Sequence, residues 1–148
     1  MRARRTVLAA LLVLAGCVFD TLYDRTLVGP YRLLAIDEME SMSIVWDIPG
    51  GGEVGDGLPG PTVFAAGYDD RFVVAAVHPE LCPPFAKGCT GHGMNRSVTQ
   101  YWYVIRQPDE WQHHPARGIR GPFTQAQFDA EKGRLHLPEF GIRFPELE

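Results

Sequence analysis

Residues 62–78 read TVFAAGYDDRFVVAAVH, the most apolar continuous run of the chain outside its N-terminus. Two stretches rich in β-branched and aromatic residues, Thr62 to Tyr68 and Arg71 to His78, flank the pair Asp69-Asp70. That is the spacing of a two-residue hairpin loop. Asp tolerates positive φ less well than Asn or Gly, so the turn type stays open, and Asp69, Asp70 and Arg71 read as a solvated turn. Along the second arm Phe72, Val74 and Ala76 point to one face and Val73, Ala75 and Val77 to the other. Neither face is polar, so this arm is expected to be an interior strand covered on both sides.

Working outward, YRLLAI (Tyr31 to Ile36) and SIVWDI (Ser43 to Ile48) read as strands, with a turn over Asp37 to Ser43. The next segment, PGGGEVGDGLPGP from Pro49 to Pro61, holds six glycines and three prolines. It lacks the Gly-Lys-Ser/Thr ending of a phosphate loop and no helix pattern follows it, so it is expected to be a long mobile connection. VTQYWYVIR (Val98 to Arg106) is a further strand that should pair with the hairpin. Its aromatic row, Tyr101, Trp102 and Tyr103, reads as core and cross-strand packing. Thr124 followed three residues on by Gln127 predicts a capping box, with Phe123 and Phe128 in staple positions. A helix is expected from about Gln125 to Lys132, ended by Gly133 and docked through Phe128 and Leu135. The tail from Leu135 to Glu148 carries Pro138 and Pro145 and reads as an extended edge segment. The expected fold is α+β and mainly β, a small antiparallel sheet with a central hairpin and one short C-terminal helix.

The N-terminus has Arg2, Arg4 and Arg5, an apolar run from Val7 to Ala15, then Gly16-Cys17. The run is too short to cross a bilayer as a helix and has the layout of a secretory signal. Leu14-Ala15-Gly16-Cys17 resembles the lipobox of bacterial lipoproteins. The resemblance implies that residues 1–16 are removed and that Cys17 is acylated and becomes the first mature residue. More than one acyl chain is needed for stable anchoring, so diacylation of Cys17 would hold the protein at a membrane surface. Val18, rather than Asp, after the cysteine resembles the pattern sent to the outer membrane of two-membrane bacteria. The expected layout is a signal peptide over 1–16, a lipidated tether over 17–27 and one β-rich domain over 28–148.

Of 148 residues, removal of 16 leaves 132, enough for one core. Of 14 basic side chains three are removed, so 11 oppose 18 acidic ones and the mature net charge is −7. A nucleic acid or an anionic lipid surface as partner of the whole domain is argued against, since both need a basic footprint.

Cys82 and Cys89 lie in a Pro- and Gly-rich loop of an exported chain and read as an intraloop disulfide. The alternative is a tetrahedral Zn-like set of His78, Cys82, Cys89 and His92, although H-x3-C-x6-C-x2-H is not a finger spacing and an oxidising compartment competes for the thiolates. The segment Gln107 to Gly121 gathers Trp111, His113, His114, Arg117 and Arg120. In an acidic protein this local basic and aromatic cluster is the candidate ligand surface. Arg117 and Arg120 suit an anionic group, and protonation of His113 and His114 strengthens such a contact. The chain shows no HExxH, no Gly-x-Ser-x-Gly elbow and no EF-hand loop, so a non-enzymatic reading is favoured over an enzyme or metal-dependent protein using the His and Cys loop.

Taken together, the chain resembles an uncharacterised family of small bacterial lipoproteins. The resemblance is carried by Gly29-Pro30-Tyr31, the Val63 to Asp70 hairpin arm with Phe72-Val73-Val74-Ala75, the Tyr101 to Ile105 strand, and Gly121-Pro122-Phe123-Thr124 leading to Phe128. It implies a small mixed β domain on a lipid anchor, with no cofactor and no catalytic residue. The Cys82 to His92 insert is peculiar to this sequence. The expected role is a membrane-anchored envelope protein that binds a protein partner or a small anionic ligand.

Overall fold

The computed structural model describes residues 20–82 and 86–148; the expected signal peptide and Cys17 lie outside them. Four strands, β1 (Thr21–Val28), β2 (Tyr31–Ile36), β3 (Ser43–Asp47) and β4 (Glu53–Val54), form an antiparallel sheet in chain order. A second antiparallel sheet holds β5 (Val63–Tyr68), β6 (Phe72–Val77), β7 (Gln100–Ile105), β8 (Ile119–Phe123) and, after the helix α1 (Gln125–Leu135), β9 (Ile142–Arg143). Its order is β8-β7-β6-β5-β9, which puts β6 in the centre. The fold is α+β and mainly β, as expected, but the strands divide between two sheets.

Every residue of β6 is buried, because its two faces meet different layers. Val73, Ala75 and Val77 join Val63, Ala65 and Val104 against Tyr31, Leu33, Ile44 and Trp46 of the first sheet. Phe72 and Val74, on the opposite face, join Tyr103, Phe128 and Leu137 under α1. Period-two alternation between two apolar layers is why this strand reads as an unbroken apolar run. On the outer face of the first sheet Arg32 bridges Asp24 at 2.6 Å and Asp47 at 2.8 Å across three strands, beside the buried side chains of Leu34 and Val45.

Four expectations are corrected. First, the hairpin loop centres on Asp70-Arg71, one residue later than the sequence spacing suggested. Asp69 N–H donates to the Phe72 carbonyl at 2.9 Å, and the Asp69 carboxylate accepts from the backbone N–H groups of Arg71 and Phe72 at 2.7 Å each. The carboxylate thus serves as the local backbone acceptor that closes the turn. Second, most of the expected tether is sheet: residues 21–27 belong to β1, which pairs along β2 from Thr21↔Ile36 to Val28↔Tyr31. The alternation there is too polar to advertise a strand, because β1 is an exposed edge with only Leu27 buried. Third, the Gly-rich connection is pinned. Val54 pairs with Trp46, Leu58 is buried, and Ile44 N–H donates to the Pro59 carbonyl at 2.9 Å.

Fourth, α1 runs past Gly133 to Leu135 and is capped by His136 in the left-handed conformation, φ 55°. A side chain at Gly133 would meet nothing, so nothing near that position requires the helix to stop there, and the added turn brings Leu135 and Leu137 onto the lower cluster. At the other end, Thr124 and Gln127 form the predicted capping box, and Phe128 is the helix's one fully buried residue. The tail is an edge segment as expected: β9 pairs with Ala65 and Ala66 of β5. Gly67 allows this approach, since a Cβ there would collide with the backbone carbonyl of Glu139.

Candidate functional site

The segment between β7 and β8 is held by residues that come from three other places in the chain. Arg106, at the end of β7, pairs with Glu110 four positions on, Nη2 to Oε1 at 2.6 Å and Nε to Oε1 at 3.2 Å. Its Nη1 donates to the carbonyls of Asp69 and Asp70 at 3.2 Å each, which ties the segment to the hairpin loop. The Trp46 indole N–H donates to the Glu110 carbonyl at 2.6 Å, which ties it to the first sheet. Glu110 is a buried carboxylate, 5% exposed. It fits because residue 29 is glycine: φ is +53°, and a Cβ would strike the Glu110 carboxylate.

Tyr31 lies beneath this pair with its ring fully buried and its hydroxyl unpartnered among the described residues. Burial, with the Glu110 carboxylate adding to it, holds the Tyr31 phenol well above the ordinary tyrosine range. Burial raises Tyr101 and Tyr103 as well, with Asp129 and Glu131 respectively adding to it. A raised phenol pKa means that the folded state keeps a proton which the unfolded state releases. The contribution is therefore fully present below about pH 10, where unfolded tyrosine is neutral, and is lost as pH rises above it. Denaturant unfolding between pH 8 and 11.5 is expected to show stability falling above about pH 10. In Tyr31→Phe the slope should be shallower by about 1.4 kcal/mol per pH unit. An identical slope in the variant would show that Tyr31 is not resisting ionisation.

Beyond this anchor, Pro115 to Arg117 form one 3-10 turn, with Pro115 buried, and Gly118 lies against the backbone of Ile105 too closely for a side chain. His114 sets its ring edge-on to Trp46, centroids 5.7 Å apart. Together these place a cavity of about 530 Å³ bordered by Gln107, Asp109, His113, His114 and Arg117. His113 Nδ1 is 3.1 Å from Asp109 Oδ2, both exposed. Asp109 and Arg117 border the cavity as opposite charges.

Three of the five candidate ligand residues therefore converge, and two do not. Trp111 borders a different hollow with Pro108 and Asp70. Arg120 sits on β8 instead of an exposed loop, and its guanidinium folds back to donate to the carbonyls of Arg117 and Ile119, 2.8 Å each. Arg106, Glu110 and Tyr31 were not anticipated. The Arg106–Glu110 spacing of four was the available signal, but such a pair is informative mainly on a helix, and here it bridges a turn.

Cys82 and Cys89 form the expected disulfide, with Cα atoms 5.5 Å apart, and Gly91 N–H approaches Cys82 Sγ at 2.9 Å. Joined sulfurs are not thiolate donors. His78 is 4% exposed, stacked on Phe64 at 4.4 Å with Nδ1 2.8 Å from the Val98 carbonyl, while His92 is exposed. The alternative four-residue metal set is thus not assembled, and among the described residues no group of three or more His, Cys, Asp or Glu is disposed to hold a metal ion. No protein-family model, no curated protein and no solved structure matches the chain.

Proposed function

We propose that the chain is an exported lipoprotein of the bacterial envelope, anchored through acylated Cys17, whose folded domain is a non-enzymatic binding module for a small anionic ligand. The observation that carries the binding part is the cavity of about 530 Å³ to which His113, His114 and Arg117 all contribute. An anion would meet the Arg117 guanidinium, with the His113 and His114 imidazoles beside it. The anchor part is carried by Leu14-Ala15-Gly16-Cys17 behind a basic and apolar leader. An outer-membrane destination follows from Val18 where the organism has two membranes.

The fold gives this reading a direction. β1 begins at Thr21, so the chain from Cys17 reaches at most about 14 Å before the sheet starts. The far ends of β1 and β2, at Val28 and Tyr31, are where Trp46 and Glu110 hold the site segment. Eight strand residues, roughly 25 Å of rise, separate the two ends. The proposed anchor thus enters at one end of β1 and the site segment is held at the other.

Two measurements test the proposal. In membrane fractionation Cys17→Ser should appear in the soluble fraction, still folded, and a variant that continues to sediment with lipid removes the anchor. In calorimetry at neutral pH, the full-length protein should bind inorganic phosphate or citrate. Arg117→Ala should weaken this about tenfold, the value of one charge-assisted contact, with the thermal midpoint unchanged. Absence of binding to both anions at millimolar concentration defeats the ligand reading.

A further inference from the structure

A second hollow, of about 410 Å³, lies beside the same segment and is bordered by Asp70, Arg106, Gln107, Pro108, Glu110 and Trp111. Its chemistry differs from that of the cavity beyond Gln107. Trp111 is 52% exposed, whereas Trp46 is 5% exposed and has its N–H engaged. An indole left half in water beside a concave polar surface has the amphipathic character of a binding platform.

The polar groups around the indole decide what it suits. Two carboxylates, Asp70 and Glu110, face one guanidinium. That guanidinium is already committed, with Nε and Nη2 on Glu110 and Nη1 on the Asp69 and Asp70 carbonyls. One amide N–H of Gln107 is likewise used, on the Ile105 carbonyl at 3.3 Å, which leaves its side-chain oxygen as an acceptor. The hollow is therefore rich in acceptors and carries net negative charge, which disfavours an anion. It suits a molecule with hydroxyl donors around its rim and one apolar face to lay on the indole.

We infer that the Trp111 hollow is a binding site for a neutral saccharide. A pyranose ring has that pair of properties: C–H groups on its face and hydroxyls at its edge. The acceptors open to it are the exposed Asp70 carboxylate and the Gln107 side-chain oxygen, because the Glu110 carboxylate is buried and already paired with Arg106. This site shares only Gln107 with the anion cavity, and its ligand owes nothing to Arg117.

Calorimetry on the full-length protein tests it with three neutral tetrasaccharides, of β-1,4-linked N-acetylglucosamine, β-1,4-linked glucose and α-1,4-linked glucose, and with tetramethylammonium chloride. At least one saccharide should bind. Trp111→Ala should weaken that binding about tenfold or more, as expected for a Trp at the centre of a contact, with no change in thermal midpoint because the side chain is exposed. Asp70→Asn, which keeps the size and one acceptor oxygen, should weaken it less, and Arg117→Ala should leave it within about twofold. The inference is overturned if no saccharide binds at millimolar concentration, if binding is the same in Trp111→Ala, or if tetramethylammonium is the ligand whose binding depends on Trp111. Phosphate binding that depends on Arg117 reports on the other cavity, so the two readings can fail separately.

Discussion

Arg106→Ala is expected to destabilise the domain by about 3 kcal/mol, because it leaves the Glu110 carboxylate buried without its counter-charge. Arg106 is partly accessible at 18%, which places the cost at the lower end of what broken buried pairs show. The hairpin-loop carbonyls of Asp69 and Asp70 lose their donor in the same substitution. For a domain of this size the thermal midpoint should fall by roughly 10 °C. Removing both charges separates the electrostatic cause from simple loss of packing. The double variant Arg106→Met with Glu110→Leu fills similar volume without a buried charge and should recover most of the loss. A double variant as unstable as Arg106→Ala would mean that the side-chain shapes, and not the unpaired carboxylate, are what the structure needs. Thermal melts of the three proteins at neutral pH decide between these.

Phe128→Ala should cost about as much, roughly 3–5 kcal/mol, through a different mechanism. Its ring is 1% exposed and stacks between Tyr101, centroids 5.1 Å apart, and Phe140, 5.7 Å apart. Truncation removes the apolar area and leaves a hole lined by aromatic rings that cannot close over it. The loss should be local. An 11-residue helix is marginal in water, and α1 has one fully buried residue with which to dock. Hydrogen exchange should therefore show the amides of α1 losing protection well before those of β6, whose other face is held by the first sheet. Uniform loss of protection across α1 and β6 would contradict this layered picture and make the two clusters one cooperative unit.

The parts legible in the sequence are those whose information is local. The Phe72 to Val77 run alternates between two apolar faces, so a central strand could be read without knowing what covered it. Thr124, Gln127 and the flanking phenylalanines specify a helix start from side chain to backbone within four residues, and the capping box is present. Cys82 and Cys89 lie close together in a Pro- and Gly-rich stretch, and the disulfide read from that pair is present. Where the sequence reading slipped, a local rule met a distant contact. Gly133 did not end α1 because Leu137 had a cluster to reach, and the Gly-rich segment was not loose because Leu58 and Val54 had a sheet to join.

The candidate sites divide the same way. The composition of residues 107–121 marked the segment that borders both hollows, since a basic and aromatic cluster in an acidic chain is visible without coordinates. Which of its members share a cavity was settled by contacts that no periodicity announces. Trp46 and Glu110, 64 residues apart, meet through one hydrogen bond, and Gly29 admits the carboxylate by lacking a side chain. These contacts turn His113, His114 and Arg117 toward one cavity and Trp111 toward another. Local patterns set strand, cap and disulfide because their energies act over a few residues. The pairing of two sheets, and the sites built where they meet, depend on apolar burial and charge pairing between segments that are neighbours only once the chain has folded.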